Sequence, residues 1–215
     1  DRTLIPVDST KYFFKYLDIE FHSIKSIFQN YGYSFEAFYN VALFYSQIER
    51  KKYNEACFFS AKSVSMYPEF LNFIRSLKET TELIVVTSGI KQNWQTILAN
   101  HQLDFVSLIG GNYLPDDKFV VDKNSKGVIV DNLVNSNKKV FTFGDGIIDF
   151  DMLKKAHHAY LVVNEKMNKD IIPFTNEIPN LQQISFKESY HAHLPLTDLN
   201  IISVIIQKYF DYAKI

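Results

Sequence analysis

From residue 68 onward, short apolar runs alternate with stretches whose apolar residues recur at helical spacing. These runs are four or five residues long, mostly apolar, and cover residues 83–86, 105–109, 140–143 and 159–163, with Ser107 and Thr142 as the polar exceptions. The helical stretches between them cover residues 91–100, 126–135 and 149–156. A continuous apolar run is typical of a strand buried on both faces, and parallel strands need a helical crossover. The alternation therefore predicts an α/β fold with a doubly wound parallel sheet.

A second region, residues 11–66, has helical spacing throughout. Aromatic and aliphatic side chains recur through residues 10–31, and Gly32 then ends the pattern as a glycine at the end of a helix does. Ser34 is placed to cap a second helix, because its hydroxyl can accept a hydrogen bond from a free amide of the first turn. A third helical stretch covers residues 53–64. This region is predicted to be a small all-helical domain.

Pro68 lies where the helical pattern of residues 11–66 gives way to the alternating pattern that follows it. Proline is favoured in the first turn of a helix, so Pro68 is predicted to begin a new one. The chain ends in a further helical stretch over residues 196–213. We therefore predict a catalytic core formed by residues 1–10 and 67–215, with the helical region of residues 11–66 inserted into it.

The composition excludes several classes of protein. Hydrophobic residues make up 47% and charged residues 22% of the 215 residues, which excludes a disordered chain. The net charge is -1 and no long run of basic residues stands out, so we expect no nucleic-acid partner. The single cysteine, Cys57, excludes an internal disulfide and a cysteine-rich zinc site. No apolar run is long enough to span a bilayer, so we expect no membrane partner and a cytoplasmic location.

Polar residues follow the apolar runs at the places where a ligand is expected. In an open parallel sheet, ligands bind beyond the carboxyl ends of the strands. Three segments have this character: Asp1-Arg2-Thr3 at the start, Thr87-Ser88-Gly89 after residues 83–86, and Gly144-Asp145-Gly146-Ile147-Ile148-Asp149 after residues 140–143. Lys126, which opens the helical stretch before the last of these segments, is a fourth candidate.

These segments, in this order, resemble the motifs of the haloacid dehalogenase-type phosphohydrolase superfamily, and within it the phosphoserine phosphatase-like branch. The family carries Asp-x-Asp-x-Thr after a strand, a Ser or Thr after another strand, a Lys, and Gly-Asp-x-x-x-Asp. The segment 144–149 matches the fourth motif in full, and Lys126 lies 19 residues before Asp145, a distance suited to the third. Ser88-Gly89 resembles the second motif, and Asp1-Arg2-Thr3-Leu4-Ile5 resembles the second half of the first.

The resemblance implies a Rossmann-like core with residues 11–66 as a helical cap of the C1 type. It implies a Mg²⁺-dependent phosphatase that hydrolyses a small phosphorylated metabolite through an aspartyl phosphate. The nucleophilic aspartate is expected two residues before Asp1. Asp1 itself is expected to protonate the leaving oxygen, to deprotonate the attacking water later, and to offer its backbone carbonyl to the metal.

The resemblance also implies metal and phosphate ligands. Asp145 is expected to bind Mg²⁺ directly, and Asp149 either to bind it or to orient its ligands, since Mg²⁺ takes one or two carboxylates with phosphate and water. Ser88 and Gly89 are expected to bind the phosphate. Lys126 is expected to place a positive charge against both the nucleophile and the phosphoryl group, which reduces the repulsion between two anions.

The first motif admits a second register. That register places Pro6-Val7-Asp8-Ser9-Thr10 on the motif, puts a proline where the nucleophile belongs, and implies a non-catalytic binding protein on the same fold. The first register is favoured, because Thr3-Leu4-Ile5 continues the motif as the family usually does. It leaves Asp8 seven residues beyond Asp1, where proteins of this branch carry an acidic residue that faces the substrate. Asp8 could equally cap the helix that starts near Lys11.

The motif residues themselves admit more than one role. Thr87 rivals Ser88 as the phosphate ligand, and Asp145 and Asp149 could simply cap the helix that follows them. A phosphotransferase on the same fold would use the same residues as a hydrolase. The branch uses a cap arginine for the carboxylate of phosphoserine, and the helical region offers only Arg50, so phosphoserine itself is not established as the substrate.

Overall fold

The computed structural model describes residues 1–111, 113–114, 116, 119–163, 168–186 and 189–212. The described chain divides into two compact units. The first, which we call the helical unit, comprises residue 1 with residues 5–66 and 82–122. The second, which we call the sheet unit, comprises residues 2–4, 67–81 and 123–215. The boundaries predicted above for the inserted helical domain and the core stay a prediction.

The elements follow one another as the alternation of the sequence predicts. The helices are α1 (Thr10–Tyr16), α2 (His22–Tyr31), α3 (Phe35–Ser46), α4 (Arg50–Lys62), α5 (Pro68–Ser76), α6 (Lys91–Asn100), α7 (Lys123–Asn135), α8 (Phe150–Lys155) and α9 (Leu199–Tyr212). The strands are β1 (Ile84–Ile90), β2 (Ser107–Gly111), β3 (Phe141–Gly144), β4 (His158–Val163), β5 (Leu181–Ser185) and β6 (Leu196–Thr197). Two 3₁₀ segments lie at Ile147–Asp149 and Ile172–Glu177 among the described residues.

Most of the predicted helix boundaries are confirmed. Ser34 caps α3, because its Oγ accepts a hydrogen bond from the Ala37 amide at 3.2 Å. Gly32 ends α2 with a φ of 61°, a left-handed conformation that glycine adopts at little cost. The expectation of one helical pattern through residues 10–31 was wrong, because Asp18 also adopts a left-handed φ, of 54°, and separates α1 from α2. Pro68 is the first residue of α5, as predicted.

The helical unit contains a two-stranded parallel sheet on which its helices pack. Strands β1 and β2 pair in parallel, with α6 as the connection. The prediction that β1 stops at Val86 was wrong: the strand continues through Thr87-Ser88-Gly89 to Ile90, with an irregularity in its pairing between Thr87 and Ile90. Strand β2 also extends past the run at residues 105–109, since Gly110 and Gly111 both pair with β1.

The core of the helical unit is aromatic. Phe13 and Phe14 are fully buried and meet edge to face with ring centroids 5.7 Å apart. Phe13 also contacts Tyr53 edge to face at 5.4 Å, and Ile90 of β1 belongs to the same cluster. Cys57 is completely buried in this cluster. The burial of these side chains and their edge-to-face contacts both stabilise this unit.

The sheet unit holds a parallel sheet in the order β3-β4-β5-β6. Strand β4 is buried along most of its length, and Leu161 pairs with Gly144 at the end of β3. Helices α7 and α8 pack against each other beside this sheet. Strands β5 and β6 were not predicted, and β6 occupies the start of the stretch predicted as the last helix. The predicted α/β class with parallel strands is confirmed.

Within the described residues, no helix has both the length and the apolar character that a bilayer crossing requires.

The burial of Cys57 yields a testable prediction. Burial raises the pKa of the Cys57 thiol to about 12, so almost none of it is the reactive thiolate at pH 8. We expect iodoacetamide to alkylate the folded protein at least about a hundredfold more slowly than the urea-unfolded chain, measured by mass spectrometry over time. Alkylation of the folded protein at the rate of the unfolded chain would show that the aromatic cluster does not enclose this side chain.

Candidate active site

The loop that follows β3 is built around the carboxylate of Asp149. A single 3₁₀ turn returns Asp149 toward the end of the strand, where its Oδ2 accepts hydrogen bonds from the amides of Asp145 at 2.9 Å and Gly146 at 3.3 Å. Gly144 permits this return, because a Cβ at this position would lie 2.5 Å from the Asp149 Cβ. Gly146 has an extended backbone with a φ of -149°, which any residue can adopt.

The other oxygen of Asp149 binds Lys126. The Lys126 Nζ donates to Asp149 Oδ1 at 2.7 Å, and both side chains are only 9% exposed. Burial alone would raise the pKa of Asp149, but the charge and hydrogen bond of Lys126, with the Asp145 amide, lower it below its usual value. The nearby Lys123 is more exposed and lies 3.9 Å from Asp151. Of the two lysines in the first turn of α7, Lys126 is therefore the one that contacts the loop after β3.

Asp145 lies beside this pair and is also buried. The Thr3 hydroxyl donates to its Oδ1 at 2.8 Å. Burial, together with the negative charge of Asp149, raises the pKa of Asp145 to about 6. At neutral pH the site thus holds a buried carboxylate that a cation would stabilise.

Asn168 supports the same loop and was missed by sequence reasoning. Its side-chain Nδ2 donates to the carbonyl of Asp145 at 2.7 Å and to that of Val162 at 2.8 Å. The residue is 2% exposed and has a φ of 54°, a conformation that asparagine tolerates better than most side chains. No motif in the sequence identifies Asn168, because its partners are backbone carbonyls, which a residue of any type can provide.

In the helical unit, the polar end of β1 lies beside Asp1. A Cβ on Gly89 would lie 3.3 Å from Asp1 Oδ2, so the absence of a side chain leaves room for that carboxylate. The Gly89 amide donates to Thr87 Oγ1 at 3.0 Å. The Ser88 Oγ is buried and finds no hydrogen-bond partner among the residues that the structure describes. The Thr87 hydroxyl thus accepts a bond within its own strand and keeps its hydrogen to donate, so the choice between Thr87 and Ser88 as the phosphate ligand stays a prediction.

Asp8 supports the start of α1. Its Oδ1 accepts a hydrogen bond from the Thr10 amide at 3.1 Å, whereas Ser9, the residue directly before the helix, makes no capping bond with its side chain. This contact matches the capping interpretation of Asp8. Its role as a substrate contact stays a prediction.

The structure brings the predicted site residues together in two groups. Lys126, Asp145 and Asp149 meet in the sheet unit, and Asp1 lies beside Gly89 in the helical unit. In the described part of the chain, no three His, Cys, Asp or Glu side chains form a cluster able to hold a metal. The donor set still fits Mg²⁺, which needs only one or two carboxylates and keeps several waters. The ionised carboxylate of Asp145 suits that demand, whereas both oxygens of Asp149 already accept hydrogen bonds.

The space between Gly144 and Asp149 provides a test of this geometry. In Gly144→Ala, the new methyl group would force the Asp149 carboxylate away from the amides and from Lys126. We expect the free energy of unfolding, measured by urea denaturation, to fall by about 2–4 kcal/mol, since overpacking and a disturbed buried ion pair add together.

Gly146→Ala is the matched control for this substitution. Its nearest neighbour is the Asp170 carboxylate at 3.5 Å, an ordinary contact distance, and its φ suits alanine. We expect a loss below about 1 kcal/mol. Equal losses for the two variants would contradict the role assigned to Gly144.

The fold has relatives among solved structures. A hydrolase of the haloacid dehalogenase family from Salmonella enterica subsp. enterica serovar Typhi superposes with a TM-score of 0.60 and 18% identity, covering 79% of this chain and 62% of that one. The chain thus spans less than two thirds of that relative. A phosphoserine phosphatase in its apo form superposes with a TM-score of 0.57 and 17% identity, covering 84% and 88% of the two chains.

A third relative is a phospho-aspartyl intermediate analogue of phosphoserine phosphatase, with a TM-score of 0.56, 17% identity and coverage of 97% of this chain and 94% of that one. At these identities the likeness shows a shared fold, which is the predicted Rossmann-like one. No curated protein matches the chain. A family model for haloacid dehalogenase-like hydrolases matches residues 1–154. The chain belongs to the haloacid dehalogenase-like hydrolase family.

Proposed function

We propose that the protein is a Mg²⁺-dependent phosphatase that hydrolyses a small phosphomonoester through an aspartyl phosphate. The observation that carries the proposal is the loop after β3, in which the buried Lys126–Asp149 pair fixes the position of Asp145. Membership of a hydrolase family and the phosphoserine phosphatases among the structural relatives support the same chemistry. Phosphoryl transfer depends mainly on positioning and on charge neutralisation, which are what such a loop supplies.

The carboxylate of Asp145 and the backbone carbonyl of Asp1 are the protein groups that we assign to the metal. Bound Mg²⁺ would neutralise negative charge on the phosphoryl oxygens. We assign Asp149 the orienting role, because its two oxygens accept hydrogen bonds from Lys126 and from the loop amides. Lys126 would place its positive charge close to the phosphoryl group and the nucleophile.

In the proposed reaction, the carboxylate expected two residues before Asp1 attacks phosphorus while the bond to the leaving oxygen breaks. Asp1 gives its proton to that oxygen, so the alcohol leaves neutral. Asp1 then takes a proton from a water molecule, which attacks phosphorus and releases inorganic phosphate and the free carboxylate. Ser88 would donate its hydroxyl hydrogen to a phosphate oxygen, and Gly89 would leave room for the phosphate beside Asp1. Asp8 would contact the rest of the substrate.

Substitution of Asp145 tests the proposal. In the full-length protein, Asp145→Asn keeps the size of the side chain but removes the charge, so Mg²⁺-dependent turnover of p-nitrophenyl phosphate is expected to fall at least about a hundredfold. The release of p-nitrophenolate is the measurement. Asp151→Asn is the matched control, because Asp151 is a partly exposed aspartate on the following helix. Unchanged turnover in Asp145→Asn, or no turnover by the unsubstituted full-length protein, would refute the phosphatase.

The affinity for Mg²⁺ should depend on pH through Asp145. Its pKa of about 6 means that the carboxylate is mostly ionised at pH 7 and mostly protonated at pH 5. Since the proton and the metal compete for the same oxygens, we expect Mg²⁺ to bind about tenfold more weakly at pH 5 than at pH 7, measured by isothermal titration calorimetry. Equal affinities at the two pH values, or full Mg²⁺ affinity in Asp145→Asn, would exclude this carboxylate as the ligand.

A further inference from the structure

The helical unit contains a small cavity beside β1, the strand that carries the serine assigned to the phosphate. It has a volume of about 30 Å³, and Ser88 and Gly89 of β1 form part of its wall. Helix α3 contributes Val41 and Tyr45, and α4 contributes Tyr53. A cavity of this size has room for roughly two or three water-sized groups. The occupant that fits is therefore a compact group attached to the phosphate.

The walls of this cavity carry no charge. Among the described residues, every lining side chain is aliphatic or aromatic except Ser88 and the glycines. Tyr53 is nearly fully buried, and burial raises the pKa of both Tyr45 and Tyr53, so their phenols stay neutral. Such walls favour apolar groups, because a carboxylate or an ammonium group placed there would lose its hydration without gaining a partner.

The arginine that would recognise a substrate carboxylate is already engaged. The Arg50 guanidinium forms an ion pair with Asp116. Its Cζ also lies 4.5 Å from the centroid of the Tyr113 ring, and the Tyr113 hydroxyl donates to the carbonyl of Ile48 at 2.6 Å. The helical region contains no other arginine. The carboxylate of a phosphorylated amino acid would thus compete with Asp116 for this guanidinium.

We infer that the substrate is the phosphate ester of a compact, uncharged alcohol, with its branched or short alkyl group in the cavity lined by Val41, Tyr45, Tyr53 and Ile90, rather than phosphoserine. The inference rests on the proposed function in one respect, the assignment of Ser88 to the phosphate. It adds the chemical class of the leaving group, which neither the family nor the reaction dictates.

A pair of matched phosphonates tests this inference without turnover. L-2-amino-4-phosphonobutyrate has the shape of phosphoserine, and 3-methylbutylphosphonate replaces its carboxylate and ammonium groups by methyl groups. Isothermal titration of the full-length protein with Mg²⁺ present should give at least about tenfold tighter binding of the apolar compound. Equal or tighter binding of the amino acid, or binding of neither compound, would overturn the inference. The proposed function is tested by a different measurement, the hydrolysis of p-nitrophenyl phosphate, so its failure can be told apart from failure of this inference.

A cavity-filling variant tests whether the alkyl group binds in this cavity. Ala42 lines the cavity, so Ala42→Leu should weaken the binding of 3-methylbutylphosphonate about tenfold and leave that of methylphosphonate unchanged. Leu43, the next residue on α3, is 39% exposed, and Leu43→Ala should change neither affinity. Equal weakening of both phosphonates by Ala42→Leu would overturn the placement of the alkyl group in this cavity.

Discussion

The buried ion pair between Lys126 and Asp149 is the interaction on which the candidate site depends. Removing two charges from water is costly, and a buried pair is tolerated only where further hydrogen bonds satisfy its remaining lone pairs. Here the loop amides of Asp145 and Gly146 bind the second oxygen of Asp149. The pair therefore ties α7 to the loop after β3, and it places a second carboxylate, Asp145, where burial leaves it with a raised pKa.

Two further residues complete that arrangement from different parts of the sheet unit. Gly144 supplies the space that the Asp149 side chain occupies, and Asn168 binds the carbonyl of Asp145 from beyond β4. Each acts by shape or through the backbone, so neither takes part in the chemistry directly. A fixed loop of this kind lets a carboxylate be held in one position before a ligand arrives, which reduces the reorganisation that a reaction requires.

The helical unit divides polar and apolar roles along one short strand. Ser88 offers a hydroxyl and Gly89 leaves room for the Asp1 carboxylate, whereas Ile90, the next residue, belongs to the aromatic core. The pairing of β1 with β2 is irregular between Thr87 and Ile90, the stretch that holds these residues. The cavity that Ser88 lines is otherwise walled by aliphatic and aromatic side chains and glycines, so the serine is a polar residue in an uncharged wall.

The sequence was most informative where the chemistry is local. The spacing of Asp145 and Asp149 identified the loop, and the helical pattern identified α7 with Lys126. Strand β5 escaped prediction because it carries a buried Gln183, whose amide group binds the carbonyls of His191 and Leu194 and makes a polar residue acceptable there. Asn168 escaped because its partners are backbone atoms brought near by the fold. The hydrogen bond from the Gly89 amide to Thr87 Oγ1, which sets the surroundings of Thr87 apart from those of Ser88, could not be predicted from spacing.

A crystal structure of the full-length protein with Mg²⁺ would show which carboxylate holds the ion. We expect an ion about 2.1 Å from a carboxylate oxygen of Asp145, with Asp149 still bound to Lys126 and to the loop amides. An ion held elsewhere, or one that Asp149 binds after releasing Lys126, would exclude the division of roles between these two aspartates.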